Sequence, residues 1–188
     1  MSKYKTVIYN ANLITMDDEN KVIDNGYLVF VDGLIHALGT GGPEMDEYTD
    51  SIDANGGLVT PGLINCHTHA PMSLFRGLGD DEPDRLQRYI FPLEAKYVSP
   101  EFVRTGTALS CVEMLLGGTT CFADMYFFEE EVAATASELG IRVLAGQTLM
   151  NGATPDAATI EDAFTRAVNF CEDWNSDDLV TPCLAPHA

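Results

Sequence analysis

The stretch Leu58-Val59-Thr60-Pro61-Gly62-Leu63-Ile64-Asn65-Cys66-His67-Thr68-His69 decides the fold prediction. Its mostly apolar residues 58–66 predict a strand that is buried on both faces, as strands of parallel sheets are. The two histidines follow at the end of this strand. Side chains two residues apart on a strand point to the same face, so both imidazoles are predicted to face one site.

Downstream of this strand, helices and strands alternate. Ser99-Pro100-Glu101 predicts a helix start, because Ser caps, Pro suits the first helical position and Glu complements the helix dipole. This helix is predicted to run to Leu116, with Phe102, Leu109, Val112 and Leu116 on one face. The further predicted elements are a strand at Thr119–Asp124, a helix at Glu129–Leu139, a strand at Ile141–Leu149, a helix at Ala157–Trp174 and a strand at Leu179–Leu184.

This alternation predicts a parallel sheet with helices outside it, and both an open doubly wound sheet and a (β/α)8 barrel fit it. The first sixty residues instead predict short strands and tight turns. Asp32-Gly33 between two apolar runs predicts a hairpin, and Asn25-Gly26 predicts a turn. The strands predicted there are Thr6–Tyr9, Asn12–Ile14, Tyr27–Val31, Leu34–Leu38 and Ser51–Asp53.

Charge and composition exclude several kinds of partner. The 188 residues include 29 acidic and 10 basic side chains, for a net charge of −19. Such a surface repels phosphate backbones and anionic lipids, so we expect no nucleic-acid or membrane partner. No apolar run is long enough to span a bilayer, and the N-terminus has no signal-peptide pattern, so we expect a cytoplasmic protein. The five cysteines form no C-x-x-C pair and are expected to be reduced.

Three of the four histidines fall at predicted strand ends: His67, His69 and His187. In a (β/α)8 barrel, the carboxyl ends of the strands carry the active site. Two neutral imidazole nitrogens at the spacing of His67 and His69 can hold one Zn²⁺ or Fe²⁺. His-x-His alone is a weak pattern, but the preceding apolar strand strengthens it. His36 lies in the predicted hairpin, where we expect a half-buried strand residue.

Three further polar residues have two interpretations each. Glu94 lies in the long connection after the first strand and is either a site residue or, as its sequence alone favours, a solvated carboxylate on a helix surface. Asp124 ends the second strand and either orients a metal-binding histidine or caps the next helix. Arg76 either binds an anionic group or forms a structural ion pair.

Four segments together resemble the amidohydrolase superfamily, in particular its branch of 5-methylthioadenosine/S-adenosylhomocysteine deaminases and triazine-type chlorohydrolases. The resemblance covers nearly the whole chain. The segments are Leu58-Val-Thr-Pro-Gly-Leu-Ile-Asn-Cys-His-Thr-His-Ala-Pro-Met-Ser-Leu-Phe-Arg-Gly77, Pro92-Leu-Glu-Ala-Lys-Tyr-Val-Ser-Pro100, Gly117-Gly-Thr-Thr-Cys-Phe-Ala-Asp-Met125 and Ala185-Pro-His-Ala188.

The resemblance implies roles for individual residues. His67 and His69 would be two ligands of a Zn²⁺ or Fe²⁺ ion, and Glu94 and His187 would contact a nucleoside-like substrate. The metal would activate a water for attack on an amino-bearing ring carbon. A third histidine, an aspartate and a proton-shuttling glutamate come from later strands in this family, so the general acid and base are expected after Ala188.

The expected architecture is therefore the first half of a (β/α)8 barrel at residues 58–188, preceded by part of a small β-sandwich at residues 1–57. The expected activity is metal-dependent deamination of a purine nucleoside-type substrate, like 5-methylthioadenosine or S-adenosylhomocysteine, by attack of a metal-activated water. Chloride release from a triazine and deamination of guanine or another amino-heterocycle are alternatives on the same scaffold. A half-barrel that serves as a binding or assembly module is an alternative of another class, and a homo-oligomer is left open.

Overall fold

The computed structural model describes residues 5–43, 45 and 49–187. The chain divides into two compact units, Met1–Pro61 and Gly62–Ala188. Ala188, which ends the last quoted segment, and the first four residues of the N-terminus lie outside the described part. No helix within the described ranges is long and apolar enough to cross a membrane.

The first unit is built on one mixed sheet with the strand order β3-β2-β1-β4, in which the short β5 also pairs with β1. Pairing among β1, β2 and β3 is antiparallel, whereas β4 and β5 run parallel to β1. Its apolar core centres on Ala11, Leu13 and Leu28. The strands are β1 Lys5–Ile14, β2 Val22–Val31, β3 Leu34–Thr40, β4 Thr49–Asp53 and β5 Leu58–Val59.

Turn chemistry in this unit is partly as predicted. Asp32 and Gly33 have φ of 52° and 79° and join β2 to β3, which confirms the hairpin. The predicted turn at Asn25-Gly26 is wrong, because both residues lie inside β2, where Asn25 has φ of 47°. The two strands predicted at Thr6–Tyr9 and Asn12–Ile14 form one strand that is irregular around Asn10. Asparagine tolerates the left-handed conformation, so these positions interrupt the pairing register without ending a strand.

The second unit contains a four-stranded, fully parallel sheet in the order β6-β7-β8-β9. This confirms the predicted parallel α/β organisation. Phe122, Val143, Ala145 and Val180 form its core together with helix residues such as Val132. The elements are β6 Leu63–Thr68, α1 Phe91–Tyr97, α2 Pro100–Leu116, β7 Thr119–Tyr126, α3 Glu129–Leu139, β8 Arg142–Leu149, α4 Ile160–Trp174 and β9 Val180–Pro186. A 3-10 helix, Ala70–Phe75, and a π-helical turn, Leu86–Ile90, follow β6.

The sequence predicted one strand at residues 58–66, but the structure has two. The first part of this run, Leu58–Val59, pairs with β1, and its second part begins β6. Pro61 lies between them and has no backbone N–H to donate to a sheet ladder. Expected burial on both faces is also wrong for β6: Leu63 and Ile64 are 60% and 67% exposed, because β6 pairs only with β7 in the described structure.

The start and end of α2 are as predicted, and most of the apolar residues that were predicted to share one face are exposed. Ser99 accepts a hydrogen bond from the Phe102 amide and caps the helix. Leu109, Val112 and Leu116 are exposed. The buried residues are Val103, Gly106, Thr107 and Cys111. A Cβ at Gly106 would overlap the carbonyl oxygen of Pro71 and lie 2.8 Å from its Cα, so this glycine lets α2 approach the 3-10 helix closely.

Candidate metal and substrate site

The carboxyl end of β6 places His67 and His69 side by side. Their ring centroids are 5.1 Å apart and the rings meet edge to face. His67 is exposed and His69 is half-buried. The structure therefore brings together the two imidazoles that the sequence predicted to share a face.

The ring of His69 is oriented by the neighbouring strand. Its Nδ1 lies 2.6 Å from the carbonyl oxygen of Met125 in β7. A carbonyl oxygen can only accept, so Nδ1 carries the hydrogen and Nε2 keeps its lone pair. An imidazole whose second nitrogen donates to a carbonyl is the usual arrangement of a metal-binding histidine. His69 thus fits a metal ligand that binds through Nε2.

Asp124 holds the residues on both sides of His69. Its Oδ1 accepts the hydroxyl hydrogen of Thr68 at 2.5 Å and the backbone N–H of Ala70 at 2.6 Å. It does not cap α3, since Phe128 occupies the N-cap position without a side-chain cap. Of the two interpretations of Asp124, the geometry supports the one in which it orients a histidine.

A second buried acid lies against Asp124. Glu129 is fully buried, and neither of its carboxyl oxygens accepts or donates a hydrogen bond of ordinary geometry among the described residues. Burial, and then the negative charge of Asp124, raise the pKa of Glu129 well above its usual range. Burial also raises the pKa of Asp124, but the bonds from Thr68 and Ala70 oppose that rise. Burial and the neighbouring charge thus disfavour the ionised form of Glu129 more strongly than that of Asp124.

Glu94 is buried in α1, so the prediction of a solvated surface carboxylate is wrong. Only 8% of its surface is exposed. The hydroxyl of Tyr126, at the end of β7, donates to Glu94 Oε1 at 2.8 Å. Burial raises the pKa of Glu94, and the Tyr126 hydrogen bond opposes that rise.

Tyr126 is a site residue that the sequence analysis missed. Its ring lies 6.4 Å from the ring of His69, centroid to centroid, and 3% of its surface is exposed. The strand period contains a signal for it, because Tyr126 follows Asp124 by two residues and so shares its face of β7.

His187 lies at the same edge of the sheet, three strands from β6. It follows β9 directly, and its backbone N–H donates to the carbonyl oxygen of Leu149 at 2.8 Å. Its side chain is exposed. The structure places His187 at the expected strand end but records no contact between it and His67, His69 or Glu94.

The loops after β7 and β8 are tied together by Asp156. Its Oδ2 accepts the backbone N–H of Phe128 at 2.8 Å and the side-chain amide of Gln147 at 2.8 Å. Phe128 adopts a left-handed conformation with φ of 54°, which is unusual for an aromatic residue. Arg166 stacks on the Phe128 ring and pairs with Glu130. These contacts fix the backbone directly after Tyr126.

Arg76 and Cys66 take no part in the site geometry. Arg76 forms a two-pronged ion pair with Glu113, at 2.9 Å and 2.6 Å, which supports its structural interpretation. All five cysteines are free; Cys66 is exposed and Cys111 is buried.

A cavity of about 430 Å³ opens between β6 and α2. Asn65, Ser73, Ser110 and Glu113 contribute to its lining, and His69 borders it, whereas Glu94 and His187 do not. The described residues contain no group of three or more His, Cys, Asp or Glu side chains that could hold a metal. The described chain thus provides two nitrogen donors, which fit part of a zinc or iron site.

Comparisons with known proteins give a consistent result. Residues 58–188 match the family model of the amidohydrolase family. The chain is 46% identical, over 98% of its length, to a 5-methylthioadenosine/S-adenosylhomocysteine deaminase of Thermodesulfovibrio yellowstonii, and covers 44% of that protein. The solved structure of an adenosine deaminase from Xanthomonas campestris with bound zinc superposes on this chain with a TM-score of 0.84 and is 32% identical in sequence. The match covers 97% of this chain and 42% of that deaminase chain.

More distant structures share the fold. An atrazine chlorohydrolase of Arthrobacter aurescens TC1 complexed with zinc superposes on this chain with a TM-score of 0.82 and is 21% identical in sequence. The match covers 96% of this chain and 46% of the chlorohydrolase chain. The chain therefore spans less than half the length of the relatives that it matches.

Proposed function

The chain belongs to the amidohydrolase family, and on that basis we propose that it is the N-terminal part of a metal-dependent aminohydrolase that acts on a purine nucleoside. The observation that carries the proposal is the His69 ring, whose Nδ1 is occupied by Met125 and whose Nε2 is free beside His67. An adjacent pair of imidazoles, one of them fixed in a single orientation, is suited to metal binding.

His67 and His69 are the residues that would hold the ion, Zn²⁺ or Fe²⁺. When bound, the metal supplies a water that is acidic enough to be hydroxide near neutral pH. The chain's own residues bind and orient the substrate: Glu94 offers a carboxylate oxygen to hydroxyl groups, and His187 offers an imidazole from the end of β9. We expect the remaining ligands and the proton shuttle in the part of the protein after Ala188.

The substrate proposal rests on sequence relatives and on the charges at the site. Relatives at up to 46% identity are named 5-methylthioadenosine/S-adenosylhomocysteine deaminases. The carboxyl-terminal part of the third strand, residues 146–149, carries no basic side chain that could bind a substrate carboxylate. Gln147 there is fully buried and its amide bonds to Asp156. This favours an uncharged nucleoside such as 5-methylthioadenosine over S-adenosylhomocysteine. Chloride release from a triazine and guanine deamination are alternatives for the same scaffold.

For the whole protein, we propose the architecture that the sequence predicts. The parallel sheet β6–β9 would be the first half of a (β/α)8 barrel, and the sheet of the first unit would be part of a small β-sandwich. The proposed location is the cytoplasm, and the partner is a small molecule, with a homo-oligomer left open.

A different class of function also has an observation in its favour. The exposed Leu63 and Ile64 of β6 present an apolar strand edge of the kind that pairs with another strand. A binding or assembly module without activity of its own would use that edge. Metal content and turnover of the full-length protein distinguish the two proposals.

The test is metal analysis and a substrate panel with the full-length protein. We expect about one zinc or iron per chain and ammonia release from 5-methylthioadenosine or adenosine, with weaker release from S-adenosylhomocysteine. His67→Ala and His69→Ala should each lose metal and activity, whereas His36→Ala, in the other unit, should retain both. A folded, metal-free wild-type protein that releases neither ammonia nor chloride from the panel would overturn the proposal.

A further inference from the structure

We propose that Tyr126 is a positioning residue that fixes Glu94 at a set distance from the His67/His69 pair. The inference rests on the proposed function, in which Glu94 contacts substrate. Tyr126 itself touches neither the metal nor the reacting atoms; it acts through the Glu94 carboxylate.

The first observation is the hydrogen bond between them. The Tyr126 hydroxyl donates to Glu94 Oε1 at 2.8 Å, and both side chains are buried. Glu94 Oε2 accepts no hydrogen bond from the residues that the structure describes. One carboxylate oxygen is therefore held by the protein and the other is left for a ligand, so the tyrosine determines where that second oxygen points.

The second observation is how α1 is attached. This helix is seven residues long, and Glu94 is its one buried residue. The ends of α1 are held by no side-chain cap, and Phe91 and Tyr97 are half-exposed. The bond from Tyr126 thus adds a direct link between α1 and the parallel sheet, while Ile90 before the helix is fully buried and Val98 after it packs against the core.

The third observation is the position of Tyr126 in β7. Three consecutive residues, Asp124, Met125 and Tyr126, hold the two halves of the site. Asp124 accepts from the Thr68 hydroxyl and the Ala70 amide on either side of His69, Met125 accepts from the His69 ring, and Tyr126 donates to Glu94. Because one stretch of strand makes all three contacts, the distance between metal ligand and substrate carboxylate is set by the geometry of β7.

The kinetic test is Tyr126→Phe in the full-length protein, with Tyr97→Phe as the matched control. Phenylalanine fills the same volume and removes only the hydroxyl; Tyr97 lies in the same helix as Glu94 and is 51% exposed. Loss of a hydrogen bond to a charged group should raise KM about tenfold and leave kcat within about twofold, since ground-state and transition-state binding are lost together. Metal content should not change, and Tyr97→Phe should behave as wild type.

A double variant separates positioning from a general packing defect. In a Glu94→Gln background, Tyr126→Phe should raise KM by less than about twofold, because the group that it orients has already been altered. An equal rise in both backgrounds, an unchanged KM in the single variant, or loss of the metal from it would each overturn the inference.

A measurement without substrate keeps this test independent of the proposed function. Amide hydrogen exchange should be faster in residues 91–97 of Tyr126→Phe than of wild type, with no change in α2. Unchanged exchange in residues 91–97 would contradict the inference even if the enzyme proved active. Conversely, wild-type protein without deaminase activity but with faster exchange in the variant would refute the proposed function alone.

Discussion

The carboxyl ends of β6 and β9 each present a histidine at the same edge of one sheet, yet they are built differently. At β6, His69 is held by its ring to Met125, and Asp124 bonds to Thr68 and Ala70 on either side of it. At β9, His187 is held by one backbone bond to Leu149, and its side chain is exposed.

The difference indicates what each end is suited for. A metal ligand that already points in the right direction binds the ion more tightly, because ordering a free ring opposes binding. A residue that contacts a substrate can become ordered when the substrate binds. The comparison therefore favours the proposed metal binding at β6 and the proposed substrate contact at β9, and four variants around β6 test the first of these.

The largest effect is expected for Asp124→Ala. It removes both hydrogen bonds that hold the chain around His69, so metal affinity should fall by about 10–100-fold, as is usual for a residue that orients a ligand. Competition with a chelator measures the affinity of the full-length protein.

Asp177→Ala is the matched control. Asp177 accepts the amides of Leu179 and Val180 at the opposite end of β9, so its loss should lower stability without lowering metal affinity. Equal metal loss in both variants would mean that general destabilisation, not the orientation of His69, is measured.

Gly106→Ala should have the next largest effect. The new Cβ would meet Pro71, two residues after His69, and force α2 away from the 3-10 helix. Overpacking of this kind costs about 1–3 kcal/mol of unfolding free energy. Urea unfolding measures it, with Gly42→Ala as the control, because nothing lies within 4 Å of a Cβ there. A variant as stable as the control would show that the 3-10 helix moves freely.

Glu129→Gln tests the buried acid beneath Asp124 and should have a smaller, pH-dependent effect. Since burial raises the pKa of Glu129 above its usual 4.5, the folded state binds a proton that the unfolded state releases, and this lowers stability as pH rises above 4.5. Glutamine removes that dependence. The melting temperature of the variant should therefore rise relative to that of wild type as pH increases above 4.5.

Glu138→Gln, at an exposed position of the same helix, should show no such trend. A constant or shrinking difference between Glu129→Gln and wild type over this range would show that Glu129 is ionised in the folded protein.

The smallest effect is expected for Arg76→Met. Arg76 follows the 3-10 helix and pairs with Glu113, but their side chains are 63% and 45% exposed. Water and salt screen such a pair, so the melting temperature should change little and metal affinity not at all. A clear loss of metal or substrate binding would instead support the anion-binding interpretation of Arg76.

Periodicity and local signals in the sequence predicted much of the second unit. The bounds of α2 and α3 and the parallel order of strands are confirmed. These features are predictable because helix caps, glycines that end helices and alternating apolar segments are local features of the sequence. The start of α4 was predicted three residues early: Thr159 and Asp162 form a capping box that begins the helix at Ile160.

The errors arose where burial depends on neighbours. Leu63 and Leu116 are apolar yet exposed, and Glu94 is charged yet buried. No local pattern distinguishes these cases, because exposure depends on which other element packs against the residue. The role of Tyr126 was missed for the same reason, since its partner is 32 residues away in sequence.

The alternating elements, the pair His67 and His69 on one face of a strand end, and the resemblance to the amidohydrolase family were all predictable from the sequence. The orientation of His69 by Met125, the shared buried site of Asp124 and Glu129, and the bond from Tyr126 to Glu94 became evident from the folded structure alone. The reason is physical: strand and helix periods are properties of neighbouring residues, whereas hydrogen bonds between strands depend on how distant segments align in register.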